Sequence, residues 1–168
     1  MYNKSLSNHI KVLSKLSTKN PCISFGIFAD EPPVLEEIFS DKIVYPGVSV
    51  SLKCMATGSP LPQVTWRLDS LPLPEQLRFR VGDYVTRDSR VVSYVNITSI
   101  QVEDGGLFSC KATNEVGSVT HSAKINVFGP PTIRSIPNIT ALAGEITVLP
   151  CPAGGHPLSS ILWSRGKY

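Results

Sequence analysis

Two residues, Cys54 and Cys110, have the type and spacing to form a covalent link, and Trp66 lies between them in sequence. Each lies in a run of alternating apolar and polar residues, Val50–Cys54, Val64–Leu68 and Leu107–Cys110. A cysteine, a tryptophan and a second cysteine on three separate β-type runs fit one arrangement. The two sulfurs join facing sheets of a sandwich, and the indole packs over the bridge. By loop closure alone, a link across that separation contributes roughly 4 kcal/mol.

No comparable constellation points to catalysis or to a cofactor. His9, His121 and His156 stand apart from cysteines and carboxylates, so no metal-ligand spacing is formed. The serines lie in no nucleophile elbow, and there is no phosphate-cradling glycine loop. Glu103-Asp104 could suggest acid–base chemistry, but a carboxylate fixing the corner before the cysteine strand is the simpler reading. Asn96-Ile97-Thr98 and Asn138-Ile139-Thr140 are acceptors for N-linked glycan, and Asn3-Lys4-Ser5 fits the same rule. Alternation places Asn96 outward, because Val95 and Ile97 face in.

The elements that position these residues are strands. Fourteen prolines and twelve glycines divide the chain into short apolar runs, which suits β structure with many turns. The first strand draws on Val34, Leu35, Ile38 and Phe39. Val48, Val50, Leu52 and Cys54 then face inward, followed by Val64, Trp66 and Leu68. Leu71-Pro72-Leu73-Pro74 suits only a short edge or a loop. Phe79–Val85 and Arg90–Ile100 supply two further strands. Asn114-Glu115-Val116-Gly117 predicts a hairpin turn with Gly117 at positive φ. Ala123, Ile125 and Val127 face in on the last strand. The expected core includes Leu52, Val64, Trp66, Ile97 and Phe108.

A shift of 97 places superposes Cys54 on Cys151, Pro60 on Pro157 and Trp66 on Trp163, so the pattern starts again. The expected organisation is a tail over 1–30, a complete domain over 31–128 and an incomplete second copy over 129–168. Residues 130–168 are expected to be poorly ordered alone, with Pro150 weakening the strand before Cys151 and His156 in a turn. Cys151 lacks the closing half of its pattern, and Cys22 has no recognisable partner, which reads as a fragment of a longer product. Leu6, Ile10, Leu13 and Leu16 have rough helical spacing within the tail, and the apolar stretch after Cys22 is too short and too late for a clear signal peptide.

The formal charge is +3, and Lys4, Lys11, Lys15 and Lys19 supply more than that within the first twenty residues. The remainder therefore has no electrostatic footprint for nucleic acid. No apolar run is long enough to cross a membrane.

Gly58-x-Pro60-x-Pro62-x-Val64-x-Trp66, Asp104-x-Gly106-x-Phe108-x-Cys110 and Cys110-x-Ala112-x-Asn114-x-x-Gly117 resemble an intermediate-set immunoglobulin domain over residues 32–128. Arg78-Phe79, Gly82-Asp83-Tyr84-Val85, Val102-Glu103-Asp104-Gly105-Gly106, Ile133-Arg134-Ser135-Ile136-Pro137 and Trp163-Ser164-Arg165-Gly166 are similar to the arthropod Down syndrome cell adhesion molecule family. The likeness falls at the junction of its sixth and seventh immunoglobulin domains. Phe108 stands where that pattern usually has tyrosine, so the corner hydrogen bond, about 1 kcal/mol, is missing.

The resemblance implies an all-β, non-enzymatic adhesion module on the extracellular face of the plasma membrane. It implies homophilic protein partners, roles in axon guidance and dendrite self-avoidance, and no cofactor, nucleic acid or small-molecule substrate. Two rival classes fit the same fold: a structural module of an intracellular muscle protein, and an accessory domain of a matrix enzyme.

Overall fold

The computed structural model describes residues 29–164. Readings that concern the helical spacing from Leu6 to Leu16, the Asn3 acceptor and Cys22 lie outside the described residues.

Two sheets face each other. The four-stranded sheet has the order β1 (Glu31–Glu37), β3 (Val50–Ser59), β7 (Val91–Ile97), β6 (Phe79–Val85). The five-stranded sheet has the order β2 (Lys42–Val44), β9 (Ser118–Val127), β8 (Gly106–Thr113), β4 (Gln63–Leu68), β5 (Leu71–Pro72). All neighbours are antiparallel except β2, which runs parallel to β9. A 3-10 turn, Val102–Asp104, leads into β8.

The core follows the period of two that strands impose. Val50, Leu52, Cys54 and Ala56 of β3 are buried, and Ser51 and Lys53 between them are exposed. Val64, Trp66 and Leu68 do the same on β4, and Phe108, Cys110 and Ala112 on β8. Ala123, Ile125 and Val127 close the core from β9. Leu71-Pro72 forms the edge strand β5, where a missing proline donor costs least.

Three local expectations need correction. The first run is not one strand: β1 ends at Glu37, Val34 and Ile38 are exposed, and the chain crosses to the other sheet as β2. Contacts distant in sequence hold that crossing. His121 Nε2 lies 2.7 Å from the Phe39 carbonyl, and the Lys124 amide donates to Asp41 Oδ1 at 2.6 Å. Val48 is exposed, because the turn at Gly47 (φ +89°) pairs with Ile100 before β3 begins. Gly117 does not take positive φ. Asn114 closes that turn instead, its Oδ1 accepting from the Val116 and Gly117 amides at 3.0 Å.

Beyond the sandwich, β10 (Gly129–Ile133) pairs antiparallel with β11 (Ala153–His156). His156 therefore ends a strand rather than lying in a turn. The stretch from Val148 to Cys151 forms no strand, and Val148, Leu149 and Trp163 are exposed. Pro150 and Pro152 offer no ladder donors there, and among the described residues no further sheet covers those side chains. Cys151 has no sulfur partner among the described residues.

Candidate functional site

The centre of the sandwich is a ring of four residues. Cys54 is bonded to Cys110 across the two sheets, with Cα atoms 6.7 Å apart. Cys110 is the cross-strand partner of Trp66, and Cys54 is the cross-strand partner of Ser93. The Trp66 indole N–H donates to the Ser93 hydroxyl at 2.8 Å, completing a second link between the sheets. Ser93 is fully buried. Its role was not legible in advance, since a serine in an apolar run carries no signal of a distant indole. Phe39 packs against Trp66, with ring centroids 5.4 Å apart, and His121 meets Phe39 edge-on. His121 thus holds the strand crossing. Leu52, Val64, Ile97 and Phe108 are buried around the ring.

The corner before β8 is built on a buried carboxylate. Asp104 accepts from Arg78 Nε and Nη2 at 2.8 Å each, and from the Gln101 amide at 2.8 Å. Asp104 is only 1% exposed, so the fork of Arg78 compensates a charge that water cannot reach. Glu103 adds a weaker, half-exposed contact to the same guanidinium. Asp104's bonds all go to the Arg78 fork and the Gln101 amide, so the carboxylate is spent on fixing the corner.

The outward faces differ in chemistry. On the four-stranded sheet, cross-strand registers place Met55, Val92 and Tyr84 in one row and Lys53, Tyr94 and Gly82 in the next. The Tyr94 ring lies over Gly82, where a β-carbon would collide with it. Met55 and Val92 are buried although they point outward. Asn96 continues this face between Ser51 and Arg80, partly exposed, with Thr98 exposed. The outer face of the five-stranded sheet is polar and basic: Thr65, Arg67, Ser109, Lys111 and Lys124 are accessible. Asn138 lies on an exposed segment after β10.

The junction with the β10–β11 pair is densely bonded. Arg134 Nη1 donates to the Glu103 and Gly105 carbonyls, the latter at 2.7 Å, and Nη2 pairs with Asp69. Asp69 Oδ1 accepts from the Leu107 amide at 2.8 Å. Burial pushes the Asp69 carboxyl above its ordinary range; the Leu107 amide and the Arg134 charge draw it only part of the way back. A groove of about 460 Å³ beside this contact is lined by Leu68, Pro72, Gln76, Asp104 and Arg134, whose charged groups are already paired. Among the described residues no group of three or more His, Cys, Asp or Glu could hold a metal ion.

Two disulfide-linked sheets with this strand order and a tryptophan beside the bridge define an immunoglobulin-like sandwich. Residues 33–127 match the family model described as "Immunoglobulin I-set domain", and the chain belongs to that family, a non-catalytic one.

The chain is similar to a series of cell adhesion molecules. It is 48% identical over 137 residues to "Cell adhesion molecule Dscam2" of Drosophila melanogaster, covering 82% of this chain and 7% of that protein. It is 44% identical over 141 residues to "Cell adhesion molecule DSCAM" of Homo sapiens, covering 84% and 7%. The chain therefore spans a small part of the curated relatives it matches. A crystal structure of the N-terminal eight immunoglobulin domains of DSCAM matches with TM-score 0.78 and 45% identity, over 81% of this chain and 18% of that one. Titin domains Z1Z2 in complex with telethonin match more weakly, with TM-score 0.54 and 27% identity over 61% of this chain and 49% of that one.

Proposed function

We propose that the chain is a non-catalytic module of a cell-surface adhesion receptor that presents strand faces of a disulfide-stapled sandwich to protein partners. One observation carries the reading: the likeness to DSCAM covers 81% of the chain, more than the sandwich alone, whereas the likeness to titin covers 61%. The intracellular muscle module has weaker support on identity as well.

Residues 31–128 act as a complete domain, and 129–168 begin a second one. The parent protein sits at the extracellular face of the plasma membrane, and its partners include further copies of itself. Axon guidance and dendrite self-avoidance follow from the resemblance in the Arg78–Val85 and Ile133–Pro137 stretches. Asn96 and Asn138 carry glycan. Asn96 lies on the outer face of the four-stranded sheet, so a glycan there shields part of that face and leaves the basic five-stranded face open.

Homophilic recognition is tested by bead aggregation. Beads coated with the secreted parent ectodomain are expected to aggregate with one another and not with uncoated beads. Beads that stay dispersed at every coating density would contradict the homophilic reading.

A further inference from the structure

The strand pair β10–β11 is held from one side by the sandwich. Only Phe128 separates the end of β9 from the start of β10, so the connection has no slack. Phe128 itself is fixed: it stacks on Tyr45 at 4.7 Å and meets His156 of β11 edge-on at 5.2 Å. Three glycines stand where a side chain would collide with a neighbour. A β-carbon on Gly129 would enter the Val102 side chain, and one on Gly154 would enter the Val102 carbonyl and lie 3.1 Å from Glu103 Cα. One on Gly155 would lie 2.6 Å from the Pro130 carbonyl oxygen.

Arg134 then reaches back into the sandwich. Its guanidinium serves the Glu103 carbonyl, the Gly105 carbonyl and the Asp69 carboxylate, and its own amide donates to Pro152 at 2.9 Å. Arg134 and Asp69 side chains are only 16% and 14% exposed. A planar fork of five donors suits three fixed acceptors in a way that a lysine ammonium does not. Isolated two-stranded sheets are marginal in water, so order in β10–β11 needs an external support.

We propose that the 3-10 turn and Asp69 form a seat for the strand pair that follows the sandwich, and that Arg134 is the positioning residue that locks the pair at one angle. The seat sets the direction in which the next domain leaves the sandwich, and it orders the first strands of that domain before its own second sheet is in place. This inference stands on the junction alone and does not depend on what the parent receptor binds.

Amide exchange and residual dipolar couplings on the 168-residue chain test it. In the wild type, the Arg134 amide and those of 153–156 are expected to be protected at least tenfold. The couplings of β10 and β11 are expected to fit the alignment tensor of the sandwich. Arg134→Ala should remove that protection and uncouple the strand pair, with exchange around Cys54 and Cys110 unchanged. Arg134→Lys should recover only part. Gly154→Val should unseat the pair with Arg134 intact, and its sandwich amides report whether the fold survives. Wild-type strands that exchange freely, or an Arg134→Ala variant that keeps both the protection and the shared tensor, would overturn the proposal.

Discussion

The Trp66 indole and the Ser93 hydroxyl are joined by a hydrogen bond that crosses between the two sheets, one residue pair away from the Cys54–Cys110 bridge. Both partners are buried, so neither can turn to water. Ser93→Ala should leave the indole N–H without an acceptor and cost about 1–3 kcal/mol in urea unfolding. Trp66→Phe together with Ser93→Ala should show a coupling of about 1 kcal/mol in a double-mutant cycle. Additive single effects would mean the bond contributes nothing beyond packing.

Among the described residues, Arg78 is the sole guanidinium on the Asp104 carboxylate, which is 1% exposed. Arg78→Ala should cost about 3–5 kcal/mol, because it leaves a buried charge unpaired. Arg78→Lys should fall between the two, since an ammonium keeps the charge but not the fork. A thermal midpoint for Arg78→Ala equal to that of the wild type would remove the corner from the list of stabilising features.

Asp69 gives the pH dependence a sign. Burial raises its carboxyl in the folded chain above the unfolded value of about 3.9. The folded state therefore holds the proton more tightly. Its contribution is complete below the unfolded value and is lost as pH rises through the folded one. Measured by urea unfolding from pH 3 upward, the wild type should lose stability relative to Asp69→Asn as pH rises from the unfolded value through the raised folded one, then run parallel to it. A wild type that gains on the asparagine variant across that window would show the Arg134 contact outweighing burial.

Asn96 faces outward between Ser51 and Arg80, with Thr98 two residues on and exposed. Protein secreted from insect cells should shift in mass on glycosidase treatment, and Asn96→Gln should remove one glycan's share of that shift. An unchanged mass on both treatments would sink the assignment.

The strands were legible where one face is buried. Val50, Leu52, Cys54 and Val64, Trp66, Leu68 alternate because water and core lie on opposite sides of the same strand. The crossing from β1 to β2 was not legible. His121 and Lys124, more than eighty residues away, hold it, and nothing near Ser40 announces a change of sheet. Gly117 misled for a local reason: glycine permits positive φ, but the Asn114 side chain satisfies the turn without it. The repeat led to an expectation that Val148 to Cys151 would form a strand, and none forms there. Trp163, which answers to Trp66 in the repeat, is 60% exposed, because an indole is buried by a facing sheet and not by its own strand. Ser93 and Arg134 carry no composition signal, since their partners are set by tertiary contact alone.

Cysteine trapping on intact cells tests the adhesion-receptor reading most directly. Living cells that express the parent protein are labelled with a membrane-impermeant amine reagent, alkylated before lysis, and the captured protein is mapped by mass spectrometry. The expected result is a surface-labelled protein whose Cys54 and Cys110 peptides are joined by a disulfide. An unlabelled intracellular protein with both thiols alkylated would contradict it, and would favour the structural muscle class instead.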